Sequence, residues 1–144
     1  MIPMFKALLL LILSSATCVH AQLLKDPEEA FLKAQQSGKE VLLIFSGSDW
    51  CIPCIQFNNK ILADTAFQHF AQDKLVLLEA DFPQRRRIPA SLRSQYESLA
   101  AEFNPEGAFP RIVLLTPGKK LLAQVPFIQQ SPPDFIAEVQ QMLK

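Results

Sequence analysis

Trp50-Cys51-Ile52-Pro53-Cys54 places two thiols three positions apart, directly after an apolar run, Val41–Phe45, and a short turn, Ser46-Gly47-Ser48-Asp49. So spaced, the pair falls on one helical turn, and a first thiol at the helix start meets unpaired backbone N–H groups and the positive end of the helix dipole. Both favour thiolate over thiol, and the thiolate is the nucleophile. A mixed disulfide formed on Cys51 then lies within reach of Cys54, which can resolve it without large motion. The residues between the cysteines tune the couple. Ile52 cannot donate to a Cys51 thiolate, whereas a histidine there would stabilise the reduced form and make the pair more oxidising. Oxidising and reducing couples of this kind differ by roughly 150 mV, on the order of 7 kcal/mol, so the missing histidine places this pair toward the reducing end.

Other uses of two thiols compete with this chemistry. A structural disulfide across so short a loop removes only roughly 2 kcal/mol of unfolded-chain entropy. Zinc normally takes four ligands, and from Gln22 onward the chain offers only two cysteines and one histidine, His69. Copper(I), which accepts two soft thiolates, is the more serious metal alternative.

The elements that must position the thiols follow from pattern. Asp26-Pro27-Glu28-Glu29 starts a helix, with Asp26 as cap, Pro27 at its first position and Glu29 completing a capping box; Gly38 ends it. Val41–Phe45 has the continuous apolar character of a central strand covered on both faces. A helix is expected from Trp50 to about Ala63, with Ile55, Phe57, Ile61 and Leu62 as its apolar members, then a short helical piece over Thr65–Gln72. Leu75–Leu78 begins a second buried strand that ends near Asp81, and the resulting βαβ unit implies parallel pairing. After a loop, Pro83–Pro89, come a helix around Ser91–Phe103 and two strands, Pro110–Thr116 and Leu121–Phe127. Their short Pro117-Gly118 turn makes them antiparallel. Ser131 caps a last helix with Phe135, Ile136, Val139, Met142 and Leu143 on its apolar side. The expected fold is α/β, a mixed central sheet with helices on both faces and a C-terminal antiparallel hairpin plus helix.

Composition narrows the function further. In 144 residues, Lys and Arg number 14 against 14 Asp and Glu, and 49% of the chain is apolar. This is the profile of one globular domain, not of a disordered chain. The neutral balance argues against nucleic acid and membrane surfaces as partners. Met1–Ala21 has the order of a secretory signal: one basic residue, Lys6, an apolar run Ala7–Leu13, then small and polar residues. The run is shorter than the roughly 20 residues a membrane span needs. Cleavage after Ala21 would leave residues 22–144, 123 residues with 13 basic and 14 acidic side chains, and would remove Cys18. The rival readings are a lipid-modified Cys18, for which Ser15 and Thr17 are poor lipobox matches, and a buried N-terminal helix. Export leads to an oxidising compartment, in a bacterium the periplasm, where a thiol pair can form a disulfide.

These residues carry a resemblance. Trp-Cys-Ile-Pro-Cys after an apolar strand, Gly107-Ala108-Phe109-Pro110 before the next-to-last strand, and the element order are similar to the thioredoxin superfamily. Phe45–Cys51 and Leu77–Pro83 resemble its exported bacterial members. The resemblance implies that Cys51 attacks and Cys54 resolves, with Trp50 and Pro53 supporting the site. It also implies a cis Phe109-Pro110 peptide facing the disulfide, Phe109 offering backbone to an extended substrate and Pro110 keeping metal ions off the thiols. It implies no cofactor and no metal, disulfide-containing protein substrates, a membrane thiol-electron donor and a monomer. The alternatives are a thiol oxidase of the same fold and a copper-handling module. One departure stands out. Thioredoxins carry a buried acid on the strand beneath the site, and Val41–Phe45 has none, leaving Glu79, Asp81 and Glu102 as candidate bases for Cys54. Arg111 stands where thioredoxins have a small hydroxyl residue, either as a contact for the thiolate or an acidic substrate or as a solvated strand-end side chain; Arg85–Arg87 read as a solvated loop.

Overall fold

The computed structural model describes residues 20–144; the export-signal reading up to position 19 and the Cys18 alternative lie outside the described residues. The elements are β1 (Leu23–Leu24), α1 (Pro27–Ser37), β2 (Glu40–Ser46), α2 (Ile52–Phe57) continued by a π-helical segment (Asn58–Leu62), α3 (Thr65–Lys74), β3 (Leu75–Asp81), α4 (Ala90–Phe103), β4 (Arg111–Leu115), β5 (Leu121–Gln124) and α5 (Pro132–Met142). One five-stranded sheet runs in the order β1-β3-β2-β4-β5. β2 lies at its centre, parallel to β3 and antiparallel to β4, as a strand covered on both faces should. The hairpin of β4 and β5 is antiparallel. Its tight turn takes positive φ at Lys119, not at the glycine of the Pro117-Gly118 pair.

Strand alternation divides the core in two. Val41, Leu43 and Phe45 of β2 and Val76, Leu78 and Ala80 of β3 pack against α1 and α4. Leu42 and Ile44, with Leu75 and Leu77, face Phe57, Ile61, Phe67, Phe135 and Val139 from the helices of the other face. Three sequence expectations change. Leu23-Leu24 forms an edge strand parallel to β3, too short for any periodicity to reveal it. The second helix starts at Ile52 and widens into the π segment, where the Ala63 N–H donates to Asn58 O at 3.0 Å. Its buried stripe is Cys54, Phe57 and Ile61, spaced three and four apart, so Ile55 falls off the stripe and is exposed. At α1, Asp26 accepts from the Glu28 and Glu29 N–H groups, but the Glu29 carboxylate pairs with Lys33 at 3.0 Å.

Candidate redox site

Cys51 is the residue just before α2, in extended conformation, and its Sγ accepts from the Cys54 N–H at 3.3 Å. Pro53 suits the first helical turn, where its missing N–H would have had no partner. Cys51 and Cys54 are joined by a disulfide, their Cα atoms 5.2 Å apart. Both residues are buried, 5% and 4% exposed, while Ile52 between them is 68% exposed and Pro53 is also at the surface. The Cys54 N–H is thus aimed at the Cys51 sulfur.

The loop between β2 and α2 is held from the β3 side. Ser48 donates through its N–H and Oγ to the Asp81 carboxylate at 2.9 and 2.6 Å, and the Arg86 guanidinium meets the same carboxylate at 2.5 Å. Asp49 accepts from the N–H groups of Gln84 and Arg85 at 2.9 and 2.8 Å. These bonds hold its carboxyl below the usual carboxylate range, the Gln84 N–H contributing most. Trp50 donates through Nε1 to Phe82 O at 2.7 Å, and its ring covers Gly47 so closely that a Cβ there would clash with the indole. The edge of the same ring system meets Phe109, centroids 5.3 Å apart, and Phe109 meets Phe82 at 5.8 Å.

The Phe109–Pro110 peptide is cis. Because Phe45 pairs with Arg111, that register brings Pro110 level with Ser46, at the end of the sheet where β2 leaves for Cys51. Trp50, Cys51, Pro53, Cys54, Phe109 and Pro110 therefore share one end of the sheet. Arg111 is neither free nor turned on the sulfurs: it is largely buried and pairs with Glu106 at 2.8 Å. Arg85, Arg86 and Arg87 are all exposed, as a solvated loop should be, and Arg86 in addition pairs with buried Asp81. His69 is exposed on α3, and Glu102 lies on the α4 surface beside Lys119. Among the described residues no three His, Cys, Asp or Glu side chains cluster closely enough to hold a metal ion.

Behind the disulfide lies a cavity of about 210 Å³ lined by Leu23, Lys25, Ser46, Ser48, Cys54, Ile55, Asn58 and Glu79. Glu79 is buried and ion-paired with half-exposed Lys25. Gly47, Ser48 and Phe82 stood out in the sequence only as parts of the turn and of the segments that resemble exported family members, with no role of their own. Lys25 had no signal and reaches the site through the pairing of β1 with β3.

A mixed sheet with helices on both faces, and a disulfide where its central strand hands over to a helix, define a thiol-disulfide oxidoreductase of thioredoxin-like architecture. A family profile described as Thioredoxin-like matches residues 22–117, and the chain belongs to that family. Over 116 residues it is 34% identical to the disulfide bond reductase DsbH of Chlamydia pneumoniae, covering 81% of this chain and 69% of that protein. A solved structure of a DsbH oxidoreductase superposes with a TM-score of 0.80 at 31% identity, over 87% of this chain and 85% of that one. A thioredoxin from Thermus thermophilus shares the fold, with a TM-score of 0.60 at 18% identity over 84% and 86% of the two chains.

Proposed function

We propose that this oxidoreductase reduces or isomerises disulfides in exported proteins, with Cys51 as the attacking thiol and Cys54 as the resolving one. The observation that carries the assignment is the asymmetry of the pair. Cys51 sits at the helix start with the Cys54 N–H on its sulfur, and Cys54 lies one turn further in, on the buried stripe of the helix. In the reducing direction the Cys51 thiolate attacks a substrate disulfide, forming a mixed disulfide and releasing one substrate thiolate. Cys54 then attacks Cys51 Sγ, closing the 51–54 bridge and releasing the second substrate thiol. Two electrons pass to the substrate, and a thiol donor returns them. The Ile52-Pro53 dipeptide offers no donor to the Cys51 thiolate, and the reductase named among the relatives runs in the same direction.

In this proposal residues 1–21 direct export and are removed, so that residues 22–144 are the working domain, a monomer in the periplasm. Electrons would come from a membrane thiol-electron donor. The support is the residue order around Lys6 and Ala7–Leu13; among the described residues no helix is long and apolar enough to cross a membrane.

Insulin reduction by wild type and Cys54→Ser, with the redox potential measured against glutathione, tests the reading. Turnover by wild type with a potential toward the roughly −270 mV of thioredoxin is expected. A potential near the roughly −120 mV of strong oxidants would reverse the direction. Tight stoichiometric Cu(I) binding without turnover would remove the enzyme reading altogether. N-terminal sequencing of the exported protein should begin at Gln22.

A further inference from the structure

Cys54 must lose a proton before it can attack Cys51, and the strand beneath it offers no base at that end of the sheet: on its face β2 brings Ile44 and Ser46 toward the cysteines, while Glu40 starts the strand at the far end, among Lys39, Asp73 and Lys74. Of the three acids the sequence offered, Glu102 lies on the surface of α4, against the opposite face of the sheet. Asp81 has both carboxylate oxygens engaged, one by the Ser48 N–H and the other by Ser48 Oγ and Arg86. Glu79 remains. It pairs with Ile44 across the parallel register and continues the Leu75-Leu77 alternation, which turns it toward α2. It lines the same cavity of about 210 Å³ as Cys54.

We propose that Glu79, held by Lys25, takes the proton of Cys54 in the step that releases substrate. The charged and titratable groups near it are Lys25 following β1, Cys54 on α2, Asp81 on its own strand and Arg86 in the next loop. The Lys25 ammonium meets the buried carboxylate and fixes it on the wall of the cavity that Cys54 also lines. Lys25 is itself half-exposed, so the pair joins the cavity to solvent. Burial pushes the Lys25 ammonium below its ordinary value, with Asp81 opposing and Arg86 adding to the shift. The cavity has room for bridging water, whose share of liquid volume is about 30 Å³. In the step, the Cys54 S–H proton passes through that water to the Glu79 carboxylate. The Cys54–Cys51 S–S bond forms as the Cys51–substrate bond breaks, and the departing substrate thiolate takes a proton from solvent.

The inference rests on the oxidoreductase reading, and the two steps of the cycle separate its failure from that of the reading. Attack is followed as mixed-disulfide formation with a fluorescent disulfide-linked peptide in Cys54→Ser, with and without Glu79→Gln. Release is followed by stopped flow in Glu79→Gln with both cysteines present. The expected result is attack unchanged within about twofold and release slowed at least about tenfold at pH 7, recovering as pH rises and hydroxide replaces the carboxylate. Release with an unchanged rate and pH profile overturns the inference while the reading stands. Failure of attack in Cys54→Ser removes both. If Glu79→Gln does not fold, ¹³C titration of the reduced wild type decides. Shared inflections at the Glu79 carboxyl and Cys54 Cβ support the pair, and independent single titrations overturn it.

Discussion

On the outer side of the Cys51–Cys54 bridge the chain presents Trp50, Ile52 and the ring of Phe109, whereas behind it Ser46, Ser48, Lys25 and Glu79 line a cavity that Cys54 borders. Two sulfurs on one helical turn thus stand between an apolar rim and a polar interior. The outer side is suited to meeting a polypeptide, since aromatic and aliphatic surface binds without demanding particular partners for its atoms. The inner side is suited to moving a proton, since its few ionisable groups face one another across a small space. The helix start makes this division possible: Cys51 precedes the first turn, and the stripe running through Cys54, Phe57 and Ile61 turns the second sulfur inward.

Four substitutions test that division, from the largest effect to the smallest. Cys51→Ser should remove insulin reduction by at least about a thousandfold, since no other thiol in the domain occupies a helix start. Residual turnover above a tenth of wild type would break the division at its outer edge. Glu79→Gln should cost at least about tenfold, confined to release; an equal loss in both steps would show that the cavity acts on the whole site. Gly47→Ala forces the Trp50 ring off its seat and should cost about 1–3 kcal/mol in denaturant unfolding. Trp50 is the single tryptophan, so its emission should shift with the loss of stability. A variant of unchanged emission and stability would show that the outer rim is not packed as described.

Tyr96 gives the smallest effect at neutral pH. Its hydroxyl donates to Lys25 O at 2.6 Å, tying the inner side to α4. Tyr96→Phe should cost about 1 kcal/mol and slow release more than attack. Burial, helped by Asp81 and Asp26 and opposed by Arg86, pushes the Tyr96 phenol up to about 12. A raised phenol stays neutral in the fold while the unfolded chain ionises near 10. Its contribution is therefore intact below pH 10 and lost as pH rises toward 12. Wild-type stability should fall across that window in urea titrations, and the fall should be shallower in Tyr96→Phe. Equal slopes would contradict it.

The same contrast separates what the residues announced from what only folding revealed. The outer side was largely legible: a five-residue motif after a buried apolar run fixes a thiol at a helix start, and the Asp26-Pro27 cap and the Ser131-capped helix appear where their patterns require. The inner side was not. Glu79 is visible as an acid in a buried strand, but its partner Lys25 arrives through a two-residue strand that carries no period. Ser48 looks like an ordinary turn residue until Asp81 is seen to bind it from 33 positions away. Arg86, in a run of three exposed arginines, gives no sign of its ion pair with Asp81 for the same reason. Local pattern marks where a chain turns and which face it buries; pairs made across β1, β2 and β3 depend on sheet order, which no window of sequence contains.

If the two sulfurs have separate tasks, trapping the covalent intermediate should show it. Cys54→Ser and Cys51→Ser are each mixed with the fluorescent disulfide-linked peptide, quenched with acid and mapped by mass spectrometry. A stoichiometric adduct is expected on Cys51 of Cys54→Ser and almost none on Cys54 of Cys51→Ser. Adducts forming equally fast on either sulfur would contradict it.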